Sequence, residues 1–212
     1  METLQSSLSD NDDKEAASQV VTAARSRLNM LDAGVNIIEE SLMATEAFLK
    51  ARSGWNAVIN ADAAIREATA LAEEMSKENI LASQAKGTEA LAFLEEAQQD
   101  FSQAEAAYPG LDLAAFEAYV VKRMESQQAA LAADDAYLSR NKEELEAQNS
   151  RYNALEEEAA ALAQELGEDD PEQIVALRFY KEIEADQGAY EAERLKAGNA
   201  DAFLREYLGT AS

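Results

Sequence analysis

Residues 17–49 read ASQVVTAARSRLNMLDAGVNIIEESLMATEAFL. Within this stretch Ala17, Val21, Ala24, Leu28, Leu31, Val35, Ile38, Leu42, Thr45 and Leu49 recur in alternating steps of four and three. On an α-helix that spacing puts all of them on one stripe. It predicts a long helix whose stripe buries against neighbouring helices. Gly34 lies inside the pattern, where glycine costs up to about 1 kcal/mol relative to alanine. The register passes through it without slipping, which points to close helix contact there.

The reading extends outward from this helix. Asp12 and Asp13 suit its N-terminus, where carboxylates meet free N–H groups and the positive end of the dipole. Ser53-Gly54 reads as its stop. The next helix starts near Trp55 and weakens at Ser76–Asn79, where a bend or short interruption is expected. Beyond that point Ile80, Gly87, Leu94, Phe101 and Tyr108 recur every seventh residue, and Ser83, Ala90, Ala97 and Ala104 form a second such row. One row is mostly large and the other always small, a pattern that lets two backbones approach closely.

Pro109-Gly110 is the strongest breaker in the chain and reads as the turn into a third helix. That helix carries Met124, Leu131, Leu138, Leu145, Tyr152, Ala159 and Leu166 in one row. Its companion row is apolar at Leu155 and Leu162 but polar at Gln127, Asp134, Asn141 and Gln148. Gly167 ends it, and Asp170-Pro171 is a strong restart signal. Ile174, Leu177, Phe179, Tyr180, Ile183 and Tyr190 follow, the helix frays toward Gly198, and Phe203, Leu204, Tyr207 and Leu208 form a last short helix.

The expected organisation is a flexible polar leader at residues 1–13 and a single helical-bundle domain at 14–212, with helices at about 14–52, 55–108, 111–166, 171–197 and 200–208. The fold class is all-α: an elongated antiparallel helical bundle or coiled coil with three long helices and a short C-terminal helical section. Short links force neighbouring helices to run antiparallel.

Composition agrees. Alanine, the best helix former, makes up about a fifth of the chain. The chain holds 2 Pro and 8 Gly, too few for a turn-rich β fold. In composition it resembles the alanine-rich helical bundles of bacterial envelope proteins and spectrin-like spacers, a likeness that carries no residue over. Tyr152-x-x-x-Glu156 and Tyr180-x-x-x-Glu184 match a loose pattern of helical-hairpin secretion substrates, but that family's Trp-x-Gly turn is missing. A cytoplasmic and a bacterial extracytoplasmic setting fit the sequence equally well.

Forty-two acidic residues stand against 18 basic ones, for a net charge of −24. Such a surface repels phosphate backbones and anionic lipid head groups. Nucleic acid is therefore not an expected partner, and no run approaches the ~20 apolar residues of a membrane span. The chain has no Cys and no His. Disulfides, thiol chemistry, Ser–His–Asp catalysis and Glu-x-x-His di-iron sites are thereby excluded. The acidic runs, such as Glu156-Glu157-Glu158 and Glu168-Asp169-Asp170, lack the shaped loop that hard cations need. No cofactor is expected.

What remains is interaction chemistry. The polar row Asp134, Asn141, Gln148 is a candidate partner-specifying seam, against the plainer reading of a solvated face. Tyr180 and Tyr190 are candidates too, as exposed contacts or, together with Phe203, as the lining of a small-molecule pocket. A groove beside the short fourth helix would leave an apolar stretch uncovered. The function expected is a non-enzymatic interaction, scaffold or spacer protein that binds a protein partner or itself, a homodimer being one such form. The alternative is a small-molecule-binding or sensing helical module with its pocket near the C-terminal aromatic section. Trp55 reads as a plug at the end of the bundle rather than as a ligand platform.

Overall fold

A computed structural model describes residues 11–167 and 169–210. The expected leader lies outside them up to residue 10, as does Glu168 of the last acidic run. Among the described residues there is no strand, and five helices follow one another: α1 Asn11–Glu73, α2 Lys77–Ala107, α3 Ala114–Leu138, α4 Lys142–Leu166 and α5 Pro171–Thr210. The all-α bundle class is thus as expected, but the helix boundaries differ in instructive ways.

Ser53-Gly54 does not end the first helix: α1 runs 63 residues, through both, to Glu73. A Cβ on Gly54 would stand 2.8 Å from Cε1 of Phe101 and 3.1 Å from the Ala97 carbonyl oxygen. This glycine lets the Phe101 ring lie against the α1 backbone, so its smallness serves packing rather than a cap. The true break falls at 74–76, beside the expected weak point. Ser76 caps α2 there by accepting the Asn79 N–H at 3.1 Å, and Met75 takes the left-handed conformation with φ 47°.

The expected third helix is two helices. Ser139-Arg140-Asn141 separates α3 from α4, with Arg140 at φ 60°. Asn141 caps α4, its side-chain oxygen accepting the Glu144 N–H at 3.2 Å. The C-terminal section is neither short nor divided. α5 spans 40 residues and passes through Gly198, because Ala197 and Ala200 on either side are buried and Asp201 pairs with Arg27 at 2.7 Å. Asp170-Pro171 does start it: the Asp170 carboxylate accepts the Glu172 N–H at 2.8 Å.

The described residues fall into two compact units. The larger unit is Met43–Arg178. Its core is the seam expected on α2: Ile80, Ser83, Gly87, Ala90, Leu94, Ala97, Phe101 and Ala104 are all buried. Small α1 residues pack in the same unit, with Ala47, Ala51, Ala57, Val58, Ala61 and Ala68 all buried. Lys50 reaches Asp100 at 3.1 Å and Lys86 reaches Glu67 at 2.8 Å, so numbers rise along α1 as they fall along α2. Trp55 is half-buried; its ring meets Phe116 edge-on at 5.6 Å, and Phe116 in turn meets Phe101 at 5.9 Å. The Pro109-Gly110 turn forms as expected. Arg178 holds it, donating to the Pro109 carbonyl at 2.8 Å with its guanidinium 5.0 Å from the centre of the Tyr108 ring.

The smaller unit comprises the first part of α1, up to Leu42, and α5 from Phe179 onward. Arg27–Asp201, Asn36–Asp186 at 3.2 Å and the Tyr207 hydroxyl donating to Asp13 tie the two helices together. Asp12 and Asp13, expected to lie at the helix entrance, are already helical.

Candidate functional site

The first part of α1 is two-faced, and the wrong face is outside. In the smaller unit the buried residues are Ala16, Ala23, Ser26 and Ala33 on α1 with Ile183, Ala197 and Ala200 on α5. At 100° per residue, Ser26 and Ala33 lie about opposite the stripe of Leu28, Leu31, Val35, Ile38 and Leu42. Those five side chains are 51–67% exposed. The expectation that the stripe buries within the bundle is therefore overturned. Period and register are as read, but the neighbour is a narrow small-residue face on the opposite side. α5 can approach α1 closely only along the alanines, since a row of leucines would hold the backbones apart. In the larger unit Leu49 is likewise exposed.

A core of one isoleucine, alanines and a serine is thin. Burying an isoleucine is worth roughly 1.5–3 kcal/mol, and each alanine methyl far less. Val21, Met30, Ile37, Phe203 and Leu204 add half-buried apolar surface to that core, yet five large aliphatic side chains of one continuous stripe stay 51–67% exposed. That imbalance marks an interaction surface.

The larger unit offers a cleft of about 500 Å³. Arg123 of α3 sits at its floor, buried. Its Nη1 donates to both oxygens of Glu156 on α4 at 2.7 Å, and its Nη2 to Asp62 on α1 at 2.6 Å. The Ser126 hydroxyl also donates to Glu156. Burial works against the guanidinium charge, but the two carboxylates outweigh it and hold Arg123 firmly protonated. Tyr119 and Tyr152 line the same cleft, and burial first, then the neighbouring carboxylates, pushes both phenols up. They stay neutral hydrogen-bonding groups and offer no base at neutral pH. The charges here are spent on one another, so the arrangement staples three helices together. Sequence reasoning missed it, because Arg123 meets partners 61 and 33 positions away. A second cleft, of about 460 Å³, lies at the α3–α4 break and carries Lys77, Arg140 and Lys142, all exposed.

The candidate residues named from sequence do not form one site. Asp134 is half-buried on α3 and accepts from the Ser83 hydroxyl at 2.9 Å. Burial pushes its carboxyl up, the Ser83 hydrogen bond pulls it partly back, and Asp135 adds to the rise. Asn141 is an exposed cap, and Gln148 donates to Glu144 at 2.7 Å on α4. The break at 139–141 divides the supposed polar row, so it is not a seam. Tyr180 is exposed, with its ring against Phe179 at 5.6 Å, and Tyr190 is half-buried. Neither they nor Phe203 line the clefts described above. Among the described residues no group of three or more acidic side chains is placed to hold a metal ion, and no helix is long and apolar enough to cross a membrane.

Compared with family models, curated proteins and solved structures, the chain matches none of them.

Proposed function

We propose that this chain is a non-enzymatic helical scaffold whose working surface is the exposed stripe Leu28, Leu31, Val35, Ile38, Leu42 of α1. The stripe takes a second amphipathic helix along its length, supplied by a protein partner or by self-association. The observation that carries the reading is the inversion along α1 in the smaller unit: its buried side chains are Ala16, Ala23, Ser26 and Ala33, while Leu28, Leu31, Val35, Ile38 and Leu42 are exposed. A heptad row of this kind offers holes for the knobs of a facing helix and is poorly suited to a compact small molecule. The Arg123 cleft does not carry the small-molecule alternative, since the guanidinium charge is already met by Glu156 and Asp62, and only the buried Arg123 Nε is left without a hydrogen-bond partner among the atoms of that side chain.

The test is a fluorescence titration with a designed peptide helix carrying Leu at its seam positions and Lys on its flanks. Saturable binding by the full chain, weakened at least tenfold in the Leu31→Gln, Ile38→Gln variant, is expected. These substitutions are neutral, so they leave the chain's charge untouched. Binding that ignores them would mean the peptide merely adheres to the acidic surface, and the reading would fall.

A further inference from the structure

Resting on that reading, we infer that the occupant of the α1 stripe is the same stripe of a second copy of this chain, packed parallel and in register over residues 28–42. Three observations carry it.

The first is area. Five side chains at 51–67% exposure leave, at roughly 100 Å² each, about 500 Å² of apolar surface per copy. Two copies brought together bury on the order of 1,000 Å², the size at which specific interfaces begin. Leu28, Val35 and Leu42 would meet their own counterparts in alternation with Leu31 and Ile38, a self-complementary set of five layers.

The second is charge at the flanks. In a parallel, in-register pair, the residue before each of Leu28, Val35 and Leu42 faces the residue five positions on in the other helix. Arg27 then faces Asp32 of the second copy, and Gly34 faces Glu39. The first pair is attractive and the second neutral. An antiparallel pair must set Leu31 against Leu42, which brings Asp32 against Glu39 twice. The other antiparallel register sets Leu28 against Ile38, which brings Asp32 against itself. The parallel arrangement keeps all five layers over residues 28–42 and sets no like charges against each other, whereas each antiparallel register keeps four layers and meets its like-charge contact with only a partial offset from Arg25, which faces Glu39 in one and Glu46 in the other. Arg27 also pairs with Asp201 of α5 at 2.7 Å, so in the pair its guanidinium is shared between Asp201 and Asp32 of the second copy.

The third is Gly34. Nothing lies within 4 Å of where its Cβ would stand, so no contact inside the chain accounts for a glycine there. In the pair it borders the seam, between Leu31 and Val35 on one side and Glu39 of the second copy on the other.

The experiment uses the full chain and two single-cysteine variants, which are clean probes because the sequence contains no cysteine. Sedimentation over a wide concentration range should show the mass rising from 23.0 kDa toward twice that value. Leu42→Cys alone should form a disulfide dimer under mild oxidation, since Leu42 meets Leu42 and disulfides need Cα atoms within about 7 Å. The Leu31→Gln, Ile38→Gln chain should stay at 23.0 kDa. A doubled mass with no Leu42→Cys bridge, but a bridge between mixed Leu31→Cys and Leu42→Cys chains, would overturn the parallel arrangement. A mass unmoved by the glutamine substitutions would place the contact elsewhere. A chain that stays monomeric yet binds the designed helix would overturn the second copy as occupant and leave the docking surface standing.

Discussion

Leu31 and Ala33 stand two residues apart on α1 and face opposite ways: Leu31 is 65% exposed, while Ala33 is 6% exposed. Hydrophobicity alone would order them the other way. Shape decides instead, because α5 can lie against α1 only along a face of small side chains. The larger apolar face is left for another surface.

Substitutions on the two faces should therefore behave in opposite fashion. Leu28→Asp with Leu42→Asp should leave helicity intact, and in dilute solution each should move stability by no more than about 0.5 kcal/mol. Ala33→Leu should cost about 1–3 kcal/mol by overfilling a close helix contact. Circular dichroism melts at low concentration read both effects. A collapse of helicity in the Asp pair would place the stripe in an internal core.

Two glycines separate packing from its absence. A Cβ on Gly87 would stand 2.4 Å from the Gln127 amide nitrogen and 2.8 Å from Leu131 Cδ2, inside a buried contact. Gly87→Ala should be destabilising by about 1–3 kcal/mol. Gly34 meets nothing within 4 Å, so Gly34→Ala should raise the stability of the monomer by up to about 1 kcal/mol through helix propensity alone. Urea unfolding of the two variants should shift the midpoint in opposite directions.

The contrast between these glycines shows what the sequence can disclose. The α2 seam is legible because its alternation of large and small residues runs uninterrupted up to the Pro109-Gly110 turn. On α1 the period is legible but the buried side is not: periodicity locates a stripe and is silent about what lies against it. Gly54 reads as a stop because its partner, Phe101, is 47 positions away. The α3–α4 break carried a readable signal, since Asn141-x-x-Glu144 has the form of a capping box. The unbroken seven-residue row across it masked that signal. The Arg123 staple left no trace, because its members are ordinary charged residues until the fold brings them together.

Asp134 supplies the pH dependence. Its folded pKa is raised above the ordinary aspartate value of 3.8, mainly by burial. The folded chain thus holds this proton more tightly than the unfolded chain does. Its contribution favours folding below the raised pKa and is lost as pH climbs through it. Asp134→Asn imitates the protonated form and can still accept the Ser83 hydroxyl. It should stabilise the chain at neutral pH and flatten the fall in stability just above pH 3.8. Chemical denaturation of both chains across the acid range measures this. A steeper fall in the variant would show that the carboxylate stabilises the fold.

Salt separates the two kinds of occupant the α1 stripe could take. Two copies of this chain bring together surfaces that each carry a net charge of −24. That repulsion acts at long range and is screened as the Debye length shrinks to about 10 Å at 0.1 M. The opposing attraction between Arg27 and Asp32 amounts to two exposed pairs, one on each side of the seam, each worth at most about 1 kcal/mol. Screening therefore removes more repulsion than attraction, and the apolar layers are untouched by it. Self-association should tighten several-fold as sodium chloride is raised from a few millimolar toward physiological strength. A basic partner helix would do the opposite, because its attraction to the acidic surface is what salt removes. Sedimentation of the chain in a salt series decides between them. Association that weakens steadily with salt would mean that charge attraction, rather than the leucine and isoleucine layers, holds the complex together.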